Sequence, residues 1–262
     1  MKTKSVARPT MTPWEVAARV SEIKPRFLEG FDARDLTIIL GQATPQEYRA
    51  GSLLSSEGFQ ADKVFLVLEG LARTFTTTRK GVKVVLLWIP PGEPAGGRAM
   101  LCKPTRYLVT TEAVTDTVAL VWSRSAILPL AKQYPSLIEN GLMIASDYLE
   151  SYQNLHVAGS YDSAAQRVAR ALDNVAKGMG RTRSDGIEID ISNEELANQA
   201  NVTIFTISRF LSKWQRKGFL IKSRGRLLVR SLEELIHSEG LGSTSAGPRI
   251  SAMKVAHKQR LN

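Results

Sequence analysis

The chain has 262 residues, enough for two small domains, each with a core of its own. Hydrophobic residues make up 43% of it, which excludes a disordered chain, and no stretch approaches the roughly 20 apolar residues that span a bilayer. A formal net charge of +10 and a pI of about 9.8 call for a polyanionic partner, nucleic acid or an anionic surface.

In chain order, residues 1–22 read as a loosely held basic arm with one amphipathic patch at Trp14, Val16 and Val20. The arm has no apolar segment of the kind a secretory signal needs. Residues 32–43 predict a short helix capped by Asp32, with Leu36, Ile39 and Leu40 on its buried stripe. Residues 46–122 change texture. Five β-rich runs, at 63–68, 71–76, 82–89, 107–111 and 118–122, are punctuated by Gly51, Gly58, Gly70, Gly81, Gly92 and Gly96. Such spacing predicts an antiparallel, jelly-roll-like β-roll, with Lys80-Gly81 as a hairpin tip. Cys102, the single cysteine, excludes a disulfide framework and any multi-thiolate cluster, so a reducing cytoplasm is the expected compartment.

A helix over 123–132 follows, closed by Pro135. A second runs from about Pro135 to Val157. Its apolar or small positions are Ile138, Gly141, Leu142, Ala145, Tyr148, Leu149, Tyr152 and Leu155. They step by three and four, as in an ordinary core-facing helix or in the seam of a two-stranded coiled coil. Its position between a roll and a second domain favours the seam. Gly159 and Ser160 read as a break and hinge, and a third helix spans 163–177 and stops at Gly178.

The alternation of Ile187, Ile189 and Ile191 predicts a strand. Ser192 with Glu195 is a capping box that opens a short helix at Asn193. Asn201 suits the left-handed residue of a tight turn, and Thr203 caps a second helix that Gly218 ends. On that helix Ile207, Phe210, Leu211 and Trp214 fall on one face. Phe205, Ser208, Arg209, Ser212 and Arg216 fall on the other. Phe219–Ile221, a basic glycine turn over 222–226 and Leu227–Val229 then make a wing. From Thr203 to Arg230 there is no Asp or Glu, while Arg209, Lys213, Arg216, Lys217, Lys222, Arg224, Arg226 and Arg230 are cationic. Two short helices with a tight turn, the second with a basic face, predict a winged helix-turn-helix that places the second helix in a DNA major groove. Arg209, Phe205, Ser208 and Ser212 are the expected base readers. Thr203, Lys213, Arg216, Lys222, Arg224 and Arg226 are the expected phosphate contacts. Residues 238–262 read as a flexible basic tail.

This succession resembles the Crp/Fnr family of transcription regulators from about residue 32 to about 236. It rests on the glycines of the roll, the phrase Pro91-Gly92-Glu93-Pro94-Ala95-Gly96, the long helix, and Asn201 through Arg209 in the recognition position. The resemblance implies an α+β chain in five parts. These are a basic arm (1–22), a cyclic-nucleotide-binding-like sensor roll (23–134), and a dimerisation helix with hinge (135–160). A winged helix-turn-helix (161–237) and a disordered basic tail (238–262) complete it. It implies a homodimer on a near-palindromic operator of double-stranded DNA, with RNA polymerase as a further candidate partner and no membrane.

Two departures from the family pattern matter. Phe205 stands where an acidic residue often helps read the site. A phenyl ring can touch a thymine methyl but cannot accept a bond from a cytosine amino group; the alternative is that it tucks against protein. In the effector pocket the resemblance assigns Gly96, Gly97, Arg106, Tyr107, Tyr152 and Gln153. Of the residues that hold cyclic AMP, only Arg106 has a counterpart, so cyclic AMP binding of the usual kind is not expected. No cofactor is expected: the N-terminal region has no cysteine for iron-sulfur, and His156, His237 and His257 all lie outside the roll. Motifs of the common enzyme sites are absent, and Glu194-Glu195 and Glu233-Glu234 fit helix starts, so a non-enzymatic protein is expected. Two other readings stay open, a roll that gates DNA binding through a small molecule, and a non-specific architectural DNA protein.

Overall fold

The computed structural model describes residues 11–79, 81, 83–223 and 225–241, with the backbone alone at 151 and 154–161. The first helix, α1 (Pro13–Ile23), is built by local chemistry. Thr12 and Glu15 form a reciprocal capping box, and Pro13 occupies the first turn, where no backbone N–H is needed. Its Val16 and Val20 are buried in the core of the roll. From Pro13 onward, then, the segment expected as a loose arm is a docked helix, because two valines four apart give it a face to bury. Helix α2 (Ala33–Gly41) starts at Asp32, whose side chain accepts from the Asp35 N–H, and buries Ile39.

The roll consists of two antiparallel sheets. One contains β1 (Thr44–Tyr48), β8 (Thr117–Ser123), β3 (Lys63–Glu69) and β6 (Pro94–Ala95), in that order. The other contains β2 (Leu53–Ser55), β7 (Thr110–Ala113), β4 (Ala72–Thr77) and β5 (Lys83–Ile89). Strand β3 is buried on both sides. Val64, Leu66 and Leu68 pack with Leu120, Trp122, Phe27 and Ile39 under the helices, while Phe65 faces the cluster inside the roll. Trp122 donates its indole N–H to the Ile39 carbonyl at 2.8 Å, so its polar atom is satisfied in the core. Glycine is required at Gly70, where φ is +81° and a Cβ would strike the Asp116 carbonyl. The short strands β1, β2 and β6 carry too few alternating apolar residues to be visible in sequence. The strand expected over 107–111 begins only at Thr110, because Tyr107 belongs to an irregular ladder with Gly58 and Phe59.

Helix α3 (Arg124–Gln133) is capped by Ser123. Helix α4 (Ser136–Tyr161) is a continuous rod of 26 residues that runs through Gly159 and Ser160. The expected break there does not occur: one glycine costs a helix only about 1 kcal/mol, which neighbouring turns offset. Helix α5 (Ala164–Met179) opens with a Ser163–Gln166 capping box and ends at Met179, one residue past Gly178, with Gly180 as its C-cap.

The C-terminal unit pairs strands in the order β11 (Leu220–Ser223), β12 (Arg226–Val229), β10 (Gly186–Asp190) and β9 (Arg181–Arg183). Helices α6 (Asn193–Ala200), α7 (Ile204–Arg216) and α8 (Leu232–Ser238) surround a core of Leu172, Ile189, Leu196, Ile207, Leu211, Trp214 and Leu227. Leu241 is buried in the same core, so the segment up to 241 is packed. The remainder of the expected basic tail lies outside the described residues, as do the first ten residues of the arm.

Candidate nucleic-acid interface

The helix-turn-helix is assembled by its caps. Ser192 accepts from the Glu195 N–H at 3.1 Å, and Glu195 accepts in return from the Ser192 N–H at 3.1 Å, which starts α6. Asn201 ends it in the left-handed region at φ 49°, ψ 53°. Two residues later Thr203 accepts from the Thr206 N–H at 3.2 Å and starts α7. Ile207, Leu211 and Trp214 are then fully buried, with Phe210 partly so. This fixes the rotation of α7 about its axis.

That rotation turns Phe205, Ser208, Arg209 and Arg216 outward, with Ser212 half-buried. Phe205 is 88% exposed, the highest value among the large apolar side chains of the described residues, and Ile204 beside it is 47% exposed. Phe205 therefore does not tuck against protein. The Arg209 guanidinium lies 5.1 Å from the Phe210 ring centre, which braces its stem while the charge stays exposed. Lys222 of the wing donates to the Ser212 hydroxyl at 3.2 Å and ties β11 to the reading helix. The wing is a tight hairpin with Ser223 opposite Arg226 and Gly225 at φ +70°. Arg224 lies outside the described residues.

Two expected phosphate contacts are spoken for within the chain. Lys213 Nζ sits 3.0 Å from Glu239 Oε1, which also accepts the Trp214 indole N–H at 2.9 Å. Arg226 Nε donates to Asp190 Oδ1 at 2.9 Å, and Arg181 and Arg183 join the same cluster around Glu188 and Asp190. The bond to Asp190, with the charges of Glu188 and Asp190, raises the Arg226 pKa further. The run without acids from Thr203 to Arg230 thus meets carboxylates supplied by β10 and by the end of α8. The signal for this was present in the sequence: the alternation that turns Ile187 and Ile189 to the core, the first partly and the second fully buried, turns Glu188 and Asp190 to the opposite face.

Of the residues assigned to an effector pocket, Gly96 and Tyr107 both lie against Lys63, and Arg106 and Tyr107 are bonded to backbone groups of the roll. Gly96 is left-handed at φ +77°, and a Cβ there would come within 2.5 Å of the Lys63 carbonyl. Gly97 starts a short 3-10 turn ending at Met100. Arg106 is exposed and donates to the Gly58 carbonyl at 2.6 Å. Tyr107 is buried, and its hydroxyl accepts from the Lys63 N–H at 2.9 Å. Burial, with the nearby Asp62 carboxylate, pushes its pKa up to about 12. On α4, Tyr152 is half-buried, which raises its pKa, and Gln153 is exposed.

Helix α4 has two apolar faces. Leu137, Gly141, Ile144 and Tyr148 face the chain's own roll. The Tyr148 hydroxyl donates to Glu93 Oε2 at 2.9 Å, and burial and that carboxylate raise its pKa well above the ordinary value. Ile138, Leu142, Ala145 and Leu149 form a second stripe in steps of four and three, and Leu142 and Leu149 are 65% and 61% exposed. Of the expected seam positions, Ile138, Leu142, Ala145 and Leu149 are exposed and Tyr152 is half-buried. Gly141 and Tyr148 belong to the intrachain face, and the side chain of Leu155 lies outside the described residues.

Residues 45–134 match the model of the cyclic nucleotide-binding domain, and residues 166–238 match that of the Crp-like helix-turn-helix domain. The chain is 27% identical over 214 residues to the cyclic AMP receptor protein of Thermus thermophilus, covering 80% of this chain and 95% of that protein. It is 24% identical over 191 residues to the nitrogen fixation regulation protein FixK of Rhizobium meliloti, covering 73% and 84%. The solved structure of FixK2 from Bradyrhizobium japonicum superposes with a TM-score of 0.64 at 19% identity, over 78% of this chain and 99% of that one. A roll of the cyclic-nucleotide-binding kind, joined by a long helix to a winged helix-turn-helix, defines a class of DNA-binding transcription regulator. Within that class the chain belongs to the Crp/Fnr family. Among the described residues no helix is long and apolar enough to cross a membrane.

Proposed function

We propose that this chain is a sequence-specific regulator that acts as a homodimer on a near-palindromic operator, without cyclic AMP bound in the usual way. The observation that carries the reading is the outward face of α7. Phe205, Ser208 and Arg209 are all exposed on one side of a helix whose other side is locked into the core. Arg209 pairs bidentately with a guanine, and Phe205 packs on a thymine methyl. Thr203, Arg216 and Lys222, with Arg224 of the wing tip, bind phosphates and set affinity without choosing sequence. The exposed stripe of Ile138, Leu142, Ala145 and Leu149 pairs with the same stripe of a second copy. That pairing sets the two reading helices about one DNA turn, roughly 34 Å, apart.

The absence of usual cyclic AMP binding is supported by groups already engaged with their own backbone, Arg106 with Gly58 and Tyr107 with Lys63. The protein then works in the cytoplasm as a constitutive or partner-controlled switch and contacts RNA polymerase at its promoters. Binding-site selection from a random duplex pool tests the reading. The wild type should enrich a two-fold symmetric site, and Arg209→Ala should lose preference at one base pair per half-site. Enrichment of the same site by Arg209→Ala would remove the assignment. A thermal shift on adding cyclic AMP would favour the gated-sensor alternative.

A further inference from the structure

The winged unit does not hang freely from α4. Strand β5 of the roll touches both α5 and α6. Trp88, on β5, packs against the core of the winged unit. Its ring lies directly on the backbone of Gly178, where a Cβ would fall 2.5 Å from the indole Cγ. This explains a glycine inside a helix that continues past it: only a residue without a side chain lets the indole seat there.

A charged chain lies beside the indole. Arg73, directly opposite Trp88 in the β4–β5 ladder, is held by Glu112 through Nε at 3.1 Å and Nη2 at 3.0 Å. Lys83 braces the other oxygen of Glu112 at 3.0 Å. Arg73 and Glu112 are 18% and 10% exposed, so this fork is pre-organised. Its remaining nitrogen, Nη1, reaches Glu195 of α6 at 3.6 Å. Glu195 is the capping-box partner of Ser192 in the first helix of the helix-turn-helix, so the roll grips the reading unit at its first turn. The Glu195 end is half exposed, and alone such a pair contributes little, whereas the seated indole supplies apolar burial. The grip leaves the reading face open, since Phe205, Ser208 and Arg209 stay exposed while the roll holds α5 and α6.

We propose that Trp88 and Arg73 are positioning residues that lock the winged unit onto the roll with its reading helix outward, so that the roll, and not α4 alone, sets the separation of the two reading helices. The inference rests on the dimeric operator reading above. None of its residues touches DNA in that reading, so their loss alters geometry and leaves each base contact intact.

The test measures affinity for duplexes that carry one half-site, or two half-sites at centre separations from about 9 to about 12 bp, at one salt concentration. The wild type should prefer one separation sharply. Trp88→Ala and Gly178→Val should keep the single-half-site affinity while losing about tenfold on the best two-site duplex and binding all separations similarly, as expected when a rigid link becomes loose. Arg73→Ala should show the same change in smaller measure, and Trp88→Phe should restore the sharp preference. Variants with unchanged single-site affinity and an unchanged separation preference would overturn the lock. Loss of single-site binding in Trp88→Ala, Gly178→Val and Arg73→Ala alike would also overturn it, because the residues would then serve the fold. A wild type without two-site preference at any separation would instead remove the dimeric operator reading, and the lock with it.

Discussion

The recognition helix and the wing carry similar runs of lysine and arginine, yet the fold leaves them in different electrostatic states. On α7, Arg209 and Arg216 stay exposed, and Arg209 is braced only by an aromatic ring. On the wing, Arg226 is drawn into a cluster with Asp190 and Glu188 from the neighbouring strand. Lys213, one turn beyond Arg209 on the same helix, is likewise neutralised by Glu239. A count of charges along the chain therefore overstates the field offered to DNA. What a phosphate meets is the charge left after the carboxylates of adjacent elements are placed.

Trp214 of α7 is fully buried in the core of the winged unit, and Trp214→Ala should destabilise that unit by about 3–5 kcal/mol while the roll is unaffected. Two calorimetric transitions, of which only one moves, would show it. Next in size is Arg209→Ala, which should cost about 1–3 kcal/mol of discrimination against the wrong base. Arg226→Ala should leave discrimination within experimental error in the same titrations. A smaller effect is expected from Asp190→Asn. Removing the Asp190 charge, which holds Arg226 and Arg181, should strengthen binding to random duplex and steepen the salt dependence by roughly one phosphate equivalent, a slope change of about 0.9. An unchanged slope would mean that Arg226 points away from the backbone even when unpaired.

The smallest effect concerns acid. Burial pulls the Glu239 carboxyl upward, but the bonds from Trp214 and Lys213, with the charges of Lys213 and Lys217, outweigh it and leave the pKa below its ordinary value. A carboxyl whose pKa is depressed on folding adds stability in full above the ordinary glutamate value of about 4.3 and loses it as pH falls through the folded value. Glu239→Gln should flatten the acid side of the stability curve of the winged unit below that pH and leave the curve of the roll unchanged. Urea titrations at several acidic pH values check this.

Legibility in the sequence followed locality. The caps at Asp32, Ser192 and Thr203 and the left-handed Asn201 are decided within four residues, and each is where local chemistry places it. The face of α7 followed from its apolar spacing alone. Features fixed by distant partners were not legible. Gly178 reads as the end of a helix, which lies one residue further on, but its second role, as the seat of Trp88 from ninety residues earlier in the chain, is not legible. The stripe on α4 mixed two faces, because Tyr148 is apolar enough to join a seam yet has Glu93 as a hydroxyl partner on its own roll. Lys213 and Arg226 looked available because their carboxylate partners lie outside the run that contains them. The docking of α1 was hidden for the opposite reason: basic residues in the first dozen positions masked a short but well-capped amphipathic helix.

In the proposed complex two copies of α7 occupy neighbouring major grooves. The most direct test is sedimentation of the protein on a selected operator duplex, combined with a hydroxyl-radical footprint of the same complex. The account predicts two chains per duplex and two protected patches whose centres lie about one helical turn, roughly 34 Å, apart. One chain per duplex with a single protected patch would contradict it.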